Sequence, residues 1–244
     1  PKYDTVEGVP VVRLGTPRIR FVGSLIFLAS LALYLIRHVR DYDAVLAFHL
    51  KQSAMAASLV CRILRKRVVI SGQAASRFGD IFALKTDVLG GLVLWGCSRA
   101  AAFISGATDI TDELTAAGIP ASKIHFIPNG VPVDSFASLP ERAAARSSLA
   151  LPAEAFVAVN VGRQTAQKDL KTLLDAWREF VAANPDAVLV FVGDGDERQR
   201  LESLAASWRI SNSVRFEGWK TNIGEYLAAA DAFVSSSISE GTHL

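Results

Sequence analysis

Short apolar runs separated by helix-length stretches are what most limit how this chain can fold. The runs Val9–Leu14, Ala44–His49, Arg67–Ser71, Ala101–Ser105 and Ile124–Ile127 are followed, after a gap, by Phe156–Val161, Ala187–Val192, Val214–Glu217 and Ala232–Ser235. Candidate helices fill the spaces, notably 21–40, 51–65, 108–117, 168–183 and 195–208. A strand that is apolar on both faces needs cover on both sides. Such strands, spaced by helical segments, read as parallel β/α units, so the expected class is α/β with doubly wound parallel sheets. Helix starts are signalled by Thr108, Asp109 and Thr111 ahead of Glu113, and by Asp196 ahead of Glu197. Helix ends are signalled by Gly118 and by Asn184-Pro185.

The pattern breaks once. After Ile127, the segment Pro128-Asn129-Gly130-Val131-Pro132 is turn chemistry. Small residues and one short helix around Glu141–Leu149 follow, and the β/α pattern restarts at Phe156. Two domains are expected, 1–133 and 134–244, with a ligand cleft between facing strand ends.

Charge narrows the partners. Lys and Arg number 26 against 24 Asp and Glu, a net charge of +2. That surplus is too small and too dispersed for a nucleic-acid backbone. Arg62, Arg65, Lys66 and Arg67 form one cluster, which suits a helix C-terminus; a membrane-facing patch is the second reading. Cys61 and Cys97 fall inside candidate helices without metal-ligand spacing, which points to buried, reduced thiols in the cytosol. Phe21 to Ile36 is sixteen residues broken only by Gly23, Ser24 and Ser30, with Arg18, Arg20, Arg37 and Arg40 as flanks. A spanning helix needs roughly 20 apolar residues. This stretch therefore reads as a core helix, with a helix lying on a membrane surface as the alternative. The chain opens Pro-Lys-Tyr-Asp, without Met or a signal-peptide pattern, and a segment before Pro1 is expected.

Two separated segments carry the chemistry. Val161-Gly162-Arg163-Gln164-Thr165-Ala166-Gln167-Lys168 follows one buried run, and Ser239-Glu240-Gly241 follows another. Both lie at the C-terminal ends of strands, the edge of an open α/β sheet where ligands bind. Arg163 offers a planar fork, Lys168 a point charge, and the next helix N-terminus unpaired N–H groups, a combination that suits a diphosphate. Read without further context, the same pair is more often a solvated loop.

Six segments stand in order: Ile-Pro-Asn-Gly-Val at 127–131, Val-Gly-Arg through Lys at 161–168 and Phe-Val-Gly-Asp-Gly at 191–195, then Val-Arg-Phe-Glu-Gly at 214–218, Ala-Ala-Ala-Asp-Ala-Phe-Val at 228–234 and Ser-Glu-Gly at 239–241. Together they resemble the family-4 retaining glycosyltransferases of the GT-B fold. The resemblance runs from about residue 7 to the end and is strong over 99–244. It implies two Rossmann-like domains facing a cleft, both incomplete in this chain: an acceptor-side domain at 1–133 and a nucleotide-sugar-binding domain at 134–244. It implies hexosyl transfer from a UDP-sugar or GDP-sugar to a glycan or lipid-linked acceptor, without metal or further cofactor. The setting implied is cell-surface polysaccharide or glycolipid synthesis at the cytoplasmic face of the membrane.

By the same resemblance, Arg163 and Lys168 hold the donor diphosphate and offset leaving-group charge. Glu240 matches the first glutamate of a Glu-x7-Glu motif and contacts the donor sugar. Gly162, Gly193, Gly195 and Gly241 bring backbone close to the donor, and Trp219 lies where relatives contact the base. The second glutamate of the motif falls four positions beyond Leu244, so the chain is expected to be truncated at both ends and inactive as it stands. Thr242-His243 departs from the family's usual Phe-Gly or Leu-Pro after Glu-Gly. His49 matches a strand-end histidine near the transferred sugar and acceptor; a buried or capping role is the even alternative. Asp194 has a helix-capping role as its alternative. Ser71-Gly72-Gln73, with Arg77 and Gly79-Asp80 after it, replaces a common His-Gly and reads either as acceptor-site lining or as plain loop. Other readings are a second GT-B activity such as an epimerase or a sucrose-type synthase, a non-catalytic nucleotide-sugar-binding module, and a membrane-anchored structural protein built on Phe21–Ile36.

Overall fold

The computed structural model describes residues 2–15, 19, 22–131, 133–136 and 138–238. They divide into two compact units, one reaching to Asn129 and the other running from Gly130. The division falls inside the turn segment that begins at Pro128.

The first unit opens with β1 (Lys2–Val6) and β2 (Val9–Arg13), paired antiparallel from Lys2↔Arg13 to Val6↔Val9. Glu7 and Gly8 close this hairpin with φ of 50° and 81°. A two-residue loop of that kind needs positive φ at both positions. The strand at Val9 is thus part of a hairpin rather than of a β/α unit. Glu ahead of Gly, in place of Asn or Asp, leaves the turn unmarked in the sequence.

The chain continues through α1 (Val22–Arg37), β3 (Ala44–Phe48), α2 (Gln52–Ile63), β4 (Arg67–Gly72), α3 (Asp80–Thr86), α4 (Gly90–Cys97), β5 (Ala102–Ser105), α5 (Thr108–Ala116) and β6 (Ile124–Phe126). The four strands from β3 pair in parallel in sequence order. Val68, Ile70 and Phe103 face a core filled by Ala54, Ala57 and Cys61 of α2, Val93 and Cys97 of α4, and Ile110 and Leu114 of α5. On the other face, Leu46 and Phe48 stand 52% and 60% exposed. Helix α1 differs from a core helix: only Gly23 and Leu35 are buried, while Leu25 is 68% and Leu33 47% exposed. Cys61 and Cys97 are free and fully buried, and burial pushes the Cys97 thiol up to about 12. Helix α5 is not capped by a side chain. Glu113, expected in a capping box, instead accepts the Ser76 N–H at 2.6 Å.

In the second unit follow α6 (Arg142–Ser148), β7 (Val157–Val161), α7 (Leu170–Ala183), β8 (Val188–Val192), α8 (Arg198–Ser207), β9 (Val214–Gly218), α9 (Ile223–Ala229) and β10 (Ala232–Phe233). The parallel order β10-β7-β8-β9 places β8 inside the sheet. All five of its residues are buried. Leu189 and Phe191 pack with Leu174 and Trp177 of α7 and Leu201 of α8. Val188, Val190 and Val192 pack on the opposite side with Ala145 of α6 and Tyr226 of α9. Both faces are therefore covered, as a fully apolar strand requires. Each large side chain so buried contributes about 1.5–3 kcal/mol.

One charged residue lies in this core. Arg146 is 2% exposed. Its guanidinium donates to the carbonyls of Ala229, Pro152, Ala153 and Ala155 and to the Asp231 carboxylate. The same carboxylate accepts the Val157 N–H at 2.7 Å and pairs with Arg142. Asp231 thereby ties α6 to the strand edge where β10 meets β7.

Candidate functional site

In the second unit, the C-terminal ends of β7, β8 and β9 are laced together through glycine. Gly162 N–H donates to Val192 O at 2.9 Å, and Gly193 N–H to Gly218 O at 2.7 Å. A Cβ on Gly193 would stand 2.0 Å from the Gly162 carbonyl oxygen, and its φ is +131°. A Cβ on Gly195 would stand 2.2 Å from Gln164 O. Only hydrogen fits at either place. Gln164 is 1% exposed and binds this second loop twice, its Nε2 donating to Gly193 O and its N–H to Asp194 O, both at 2.9 Å. The Glu197 N–H returns to Gln164 O at 3.0 Å. Backbone therefore lines this edge, with little side chain in the way.

Lys168 ends a 3-10 turn, Ala166–Lys168, and its side chain folds back over the strand end. Its Cε and Nζ would lie 3.6 and 3.9 Å from a Cβ on Gly162. Asp169, at φ 44° and ψ 45°, then turns the chain into α7. Arg163 is exposed and has no ion-pair partner among the described residues. The segment after β10 is fixed against the same turn. The Ser236 hydroxyl donates to the carbonyls of Lys168 and Asp169, both at 2.9 Å, and the Ile238 N–H donates to Gln167 O at 3.0 Å. Asn160 of β7 holds the segment's start by donating to Val234 O at 2.7 Å. Glu240 and Gly241, which come next, lie outside the described residues.

Trp219 follows Gly218 and is 75% exposed at this edge. The preceding Glu217 carboxylate is occupied elsewhere: it accepts from Arg215 Nε at 2.8 Å and from the Tyr226 hydroxyl at 3.0 Å. Burial raises its pKa, but the Arg215 and Tyr226 hydrogen bonds, with Lys220 nearby, hold it below the usual carboxylate range. The Tyr226 hydroxyl is pushed up to about 12, by burial first and then by Glu217. At Trp219, then, the indole and the main chain are what the edge offers. Asp194 does not cap α8; its carboxylate accepts the N–H of Gly195 at 2.8 Å.

In the first unit, His49 follows the last residue of β3 with φ +68°, and its N–H donates to Ser71 O at 2.9 Å. His49 Nδ1 lies 2.9 Å from Asp80 Oδ1. Gln73 Nε2 donates to the Ser71 hydroxyl at 2.8 Å. A cavity of about 150 Å³ opens here, lined by Ser71, Gly72, Gln73, Ile104 and Asn129 among others.

The structure thus brings Gly162, Lys168, Gly193, Gly195 and Trp219 to one sheet edge, with Arg163 exposed on the same loop. His49 belongs to the other unit. Sequence reading gave no role to Gln164, Asn160 and Ser236, which fix that edge, and read Asp80, together with its neighbours, either as acceptor-site lining or as plain loop. Gln164 stood inside the motif; Asn160 signalled itself as a polar residue in an apolar strand. Among the described residues, no group of three or more His, Cys, Asp or Glu is placed to hold a metal ion, and no helix is long and apolar enough to cross a membrane.

Comparison with known proteins gives two family matches: the model described as Glycosyltransferase Family 4 covers residues 1–135, and that described as Glycosyl transferases group 1 covers residues 141–242. Over 96 residues the chain is 42% identical to the lipopolysaccharide core biosynthesis glycosyltransferase LpsD of Rhizobium meliloti (strain 1021), covering 39% of this chain and 27% of that protein. Over 126 residues it is 32% identical to the UDP-Gal:alpha-D-GlcNAc-diphosphoundecaprenol alpha-1,3-galactosyltransferase of Escherichia coli, covering 50% and 33%. Among solved structures, HepE of Anabaena in complex with UDP-glucose matches with a TM-score of 0.76 at 20% identity, covering 94% of this chain and 61% of that one. WaaG, a glycosyltransferase involved in lipopolysaccharide biosynthesis, matches with a TM-score of 0.71 at 15% identity, covering 96% and 64%. These structural likenesses are of fold, and the fold is GT-B. The chain matches 27% of the length of LpsD and 61% of that of HepE.

Proposed function

The chain belongs to glycosyltransferase family 4, and we propose that it serves to transfer a sugar from a nucleoside-diphosphate sugar to a glycan or lipid-linked acceptor, with retention of anomeric configuration and without a metal. The observation that carries this reading is the glycine-laced edge of the second unit, with the Lys168 ammonium folded over Gly162. Backbone N–H groups and a cation at one strand end suit a diphosphate. As the bond from the anomeric carbon to the diphosphate breaks and one to the acceptor oxygen forms, negative charge grows on the leaving nucleotide, and a phosphate oxygen of that nucleotide takes the acceptor hydroxyl's proton. Arg163 and Lys168 stabilise that charge, and a preorganised site does so without reorganising at the moment of reaction. Gly162, Gly193 and Gly195 let the donor approach, Trp219 borders the base, Glu240 and Gly241 contact the sugar side, and His49 hydrogen-bonds a sugar hydroxyl. UDP and UDP-glucose bound in HepE, and the UDP-Gal donor named for the Escherichia coli relative, support UDP as the nucleotide. The lipopolysaccharide roles of LpsD and WaaG support a cell-surface glycan as the product.

Calorimetric titration of the chain with UDP in the presence of EDTA tests the donor site. Binding persists in chelator, and Lys168→Ala weakens it roughly 10- to 100-fold, the loss of one charge-assisted contact. Unchanged affinity in Lys168→Ala, or binding that vanishes with EDTA, contradicts the reading.

The same proposal sets the chain to work at the inner face of the cytoplasmic membrane. Its support is α1, with Leu25 and Leu33 exposed and Arg37 in its last turn. Sedimentation with anionic phospholipid vesicles is expected to fall by about tenfold in the double variant Leu25→Glu, Leu33→Glu, which removes two insertable side chains. Equal sedimentation of variant and parent counts against the membrane assignment.

A further inference from the structure

His49 and Asp80 meet across 31 residues of sequence at the C-terminal edge of the first unit's sheet. The imidazole is held from two sides. Its own backbone, at φ +68°, is left-handed, a conformation a non-glycine residue keeps only where its surroundings over-determine it. Its Nδ1 meets a carboxylate whose side chain is 8% exposed, whereas the imidazole is 42% exposed. The second Asp80 oxygen faces the Gln73 N–H at 3.4 Å. An ionised carboxylate can only accept hydrogen bonds, so the proton between the two groups sits on Nδ1. A neutral imidazole protonated there carries its lone pair on Nε2. Nε2 has no hydrogen-bond partner among the described residues.

The geometry points to Asp80 as a positioning residue for His49: it holds the proton on Nδ1, so that Nε2 is presented at the sheet edge as a hydrogen-bond acceptor. This rests on the reading of His49 as a group that meets a sugar hydroxyl. It adds a selection rule to that reading. A lone pair on Nε2 takes an O–H donor and turns away the oxygens of a carboxylate or of any other fully deprotonated oxyanion, which bring no proton. The site at His49 is therefore matched to the hydroxyl of a sugar rather than to an anionic group.

Imidazole-labelled protein resolves the point by long-range hydrogen–nitrogen correlation at about pH 8, above the usual range of histidine protonation. His49→Gln identifies the signal among the four histidines. The parent chain is expected to show His49 protonated on Nδ1 and bare on Nε2. In Asp80→Asn the Gln73 N–H claims the amide oxygen, the NH2 turns to Nδ1, and the tautomer ratio shifts at least about tenfold toward Nε2–H, one hydrogen bond's effect. Asp80→Ser, smaller and able both to donate and to accept, brings the two tautomers to comparable populations and stands in should Asp80→Asn not fold. Sulfate, which carries no proton at this pH, leaves the His49 signals of the parent in place and moves them in Asp80→Asn. A parent His49 protonated on Nε2, a tautomer indifferent to both substitutions, or a sulfate shift in the parent overturns the assignment. UDP titration of the same samples separates this from the donor reading. UDP affinity within about twofold of the parent shows that the variants act locally, and loss of UDP binding in the variants alone overturns a positioning role. Failure of UDP to bind the parent counts against the donor site and leaves the tautomer result to decide this one.

Discussion

Arg146→Ala is expected to destabilise the second unit by about 3–5 kcal/mol, the usual result of removing one partner from a buried ion pair. The substitution strips Asp231 of its inner partner and leaves the carbonyls of Ala229, Pro152, Ala153 and Ala155 without the donor that meets them. Arg142→Ala removes the exposed partner of the same carboxylate and is expected to change stability by no more than about 1 kcal/mol. Denaturant unfolding followed by tryptophan fluorescence checks both, because Trp177, Trp208 and Trp219 all lie in this unit. Similar losses in the two variants would mean that burial of Arg146 is not what matters. The pH dependence carries the same signature. Burial raises the Asp231 pKa, but the Val157 N–H and then Arg146 and Arg142 outweigh it and set the folded value below the ordinary one. A group with a depressed folded pKa stabilises the fold above its unfolded pKa, about 3.9 for Asp. That contribution is lost as pH falls from there through the folded value. The acid limb below about pH 4 should therefore flatten in Asp231→Asn.

Gly193→Ala is the second large effect. Its Cβ would stand 2.0 Å from a backbone oxygen at a φ of +131°, and backbone cannot step aside as a flexible side chain can. Strain and overpacking together amount to roughly 2–4 kcal/mol. The Gly162 and Gly193 strand ends must part, so UDP affinity is expected to fall at least about tenfold as well, a change worth roughly 1.4 kcal/mol. Gly91→Ala serves as the control, since a Cβ there meets nothing within 4 Å. It sits inside α4, where Ala is favoured over Gly by about 0.5–1 kcal/mol. An alanine at 193 that leaves UDP affinity unchanged would remove these glycines from the proposed donor site.

The parts of the fold visible in the sequence are those decided locally. β8 reads as a strand because every residue in it is apolar, and α7 ends where Asn184-Pro185 forbids continuation. Helix α3 was not read, and α4 only as an unbounded helix around Cys97, since Gly79, Gly90, Gly91 and Gly96 argue against helix. Two of those glycines are there for tertiary reasons: a Cβ on Gly90 would collide with Leu84 O, and one on Gly96 would stand 2.3 Å from Met55 Cγ. Arg146 sits in an Ala- and Ser-rich run and looks solvated; its burial depends on Ala229 and Asp231, 83 and 85 residues away. Of the candidate site, the loop at Gly162–Lys168 could be picked out from sequence because its residues are contiguous. The Gln164 clasp on Gly193 and the His49–Asp80 pair were not, because each needs two segments that only the sheet brings together.

The amide spectrum of the chain, recorded while UDP is added, tests the central claim most directly. That claim puts the nucleoside diphosphate at the C-terminal edge of the second unit's sheet. The largest shifts are expected at the amides of Gly162, Arg163, Gly193 and Gly195 and at the Trp219 indole N–H, with the amides of β3 to β6 unmoved. Shifts confined to the first unit, or no shifts at millimolar UDP, would contradict it.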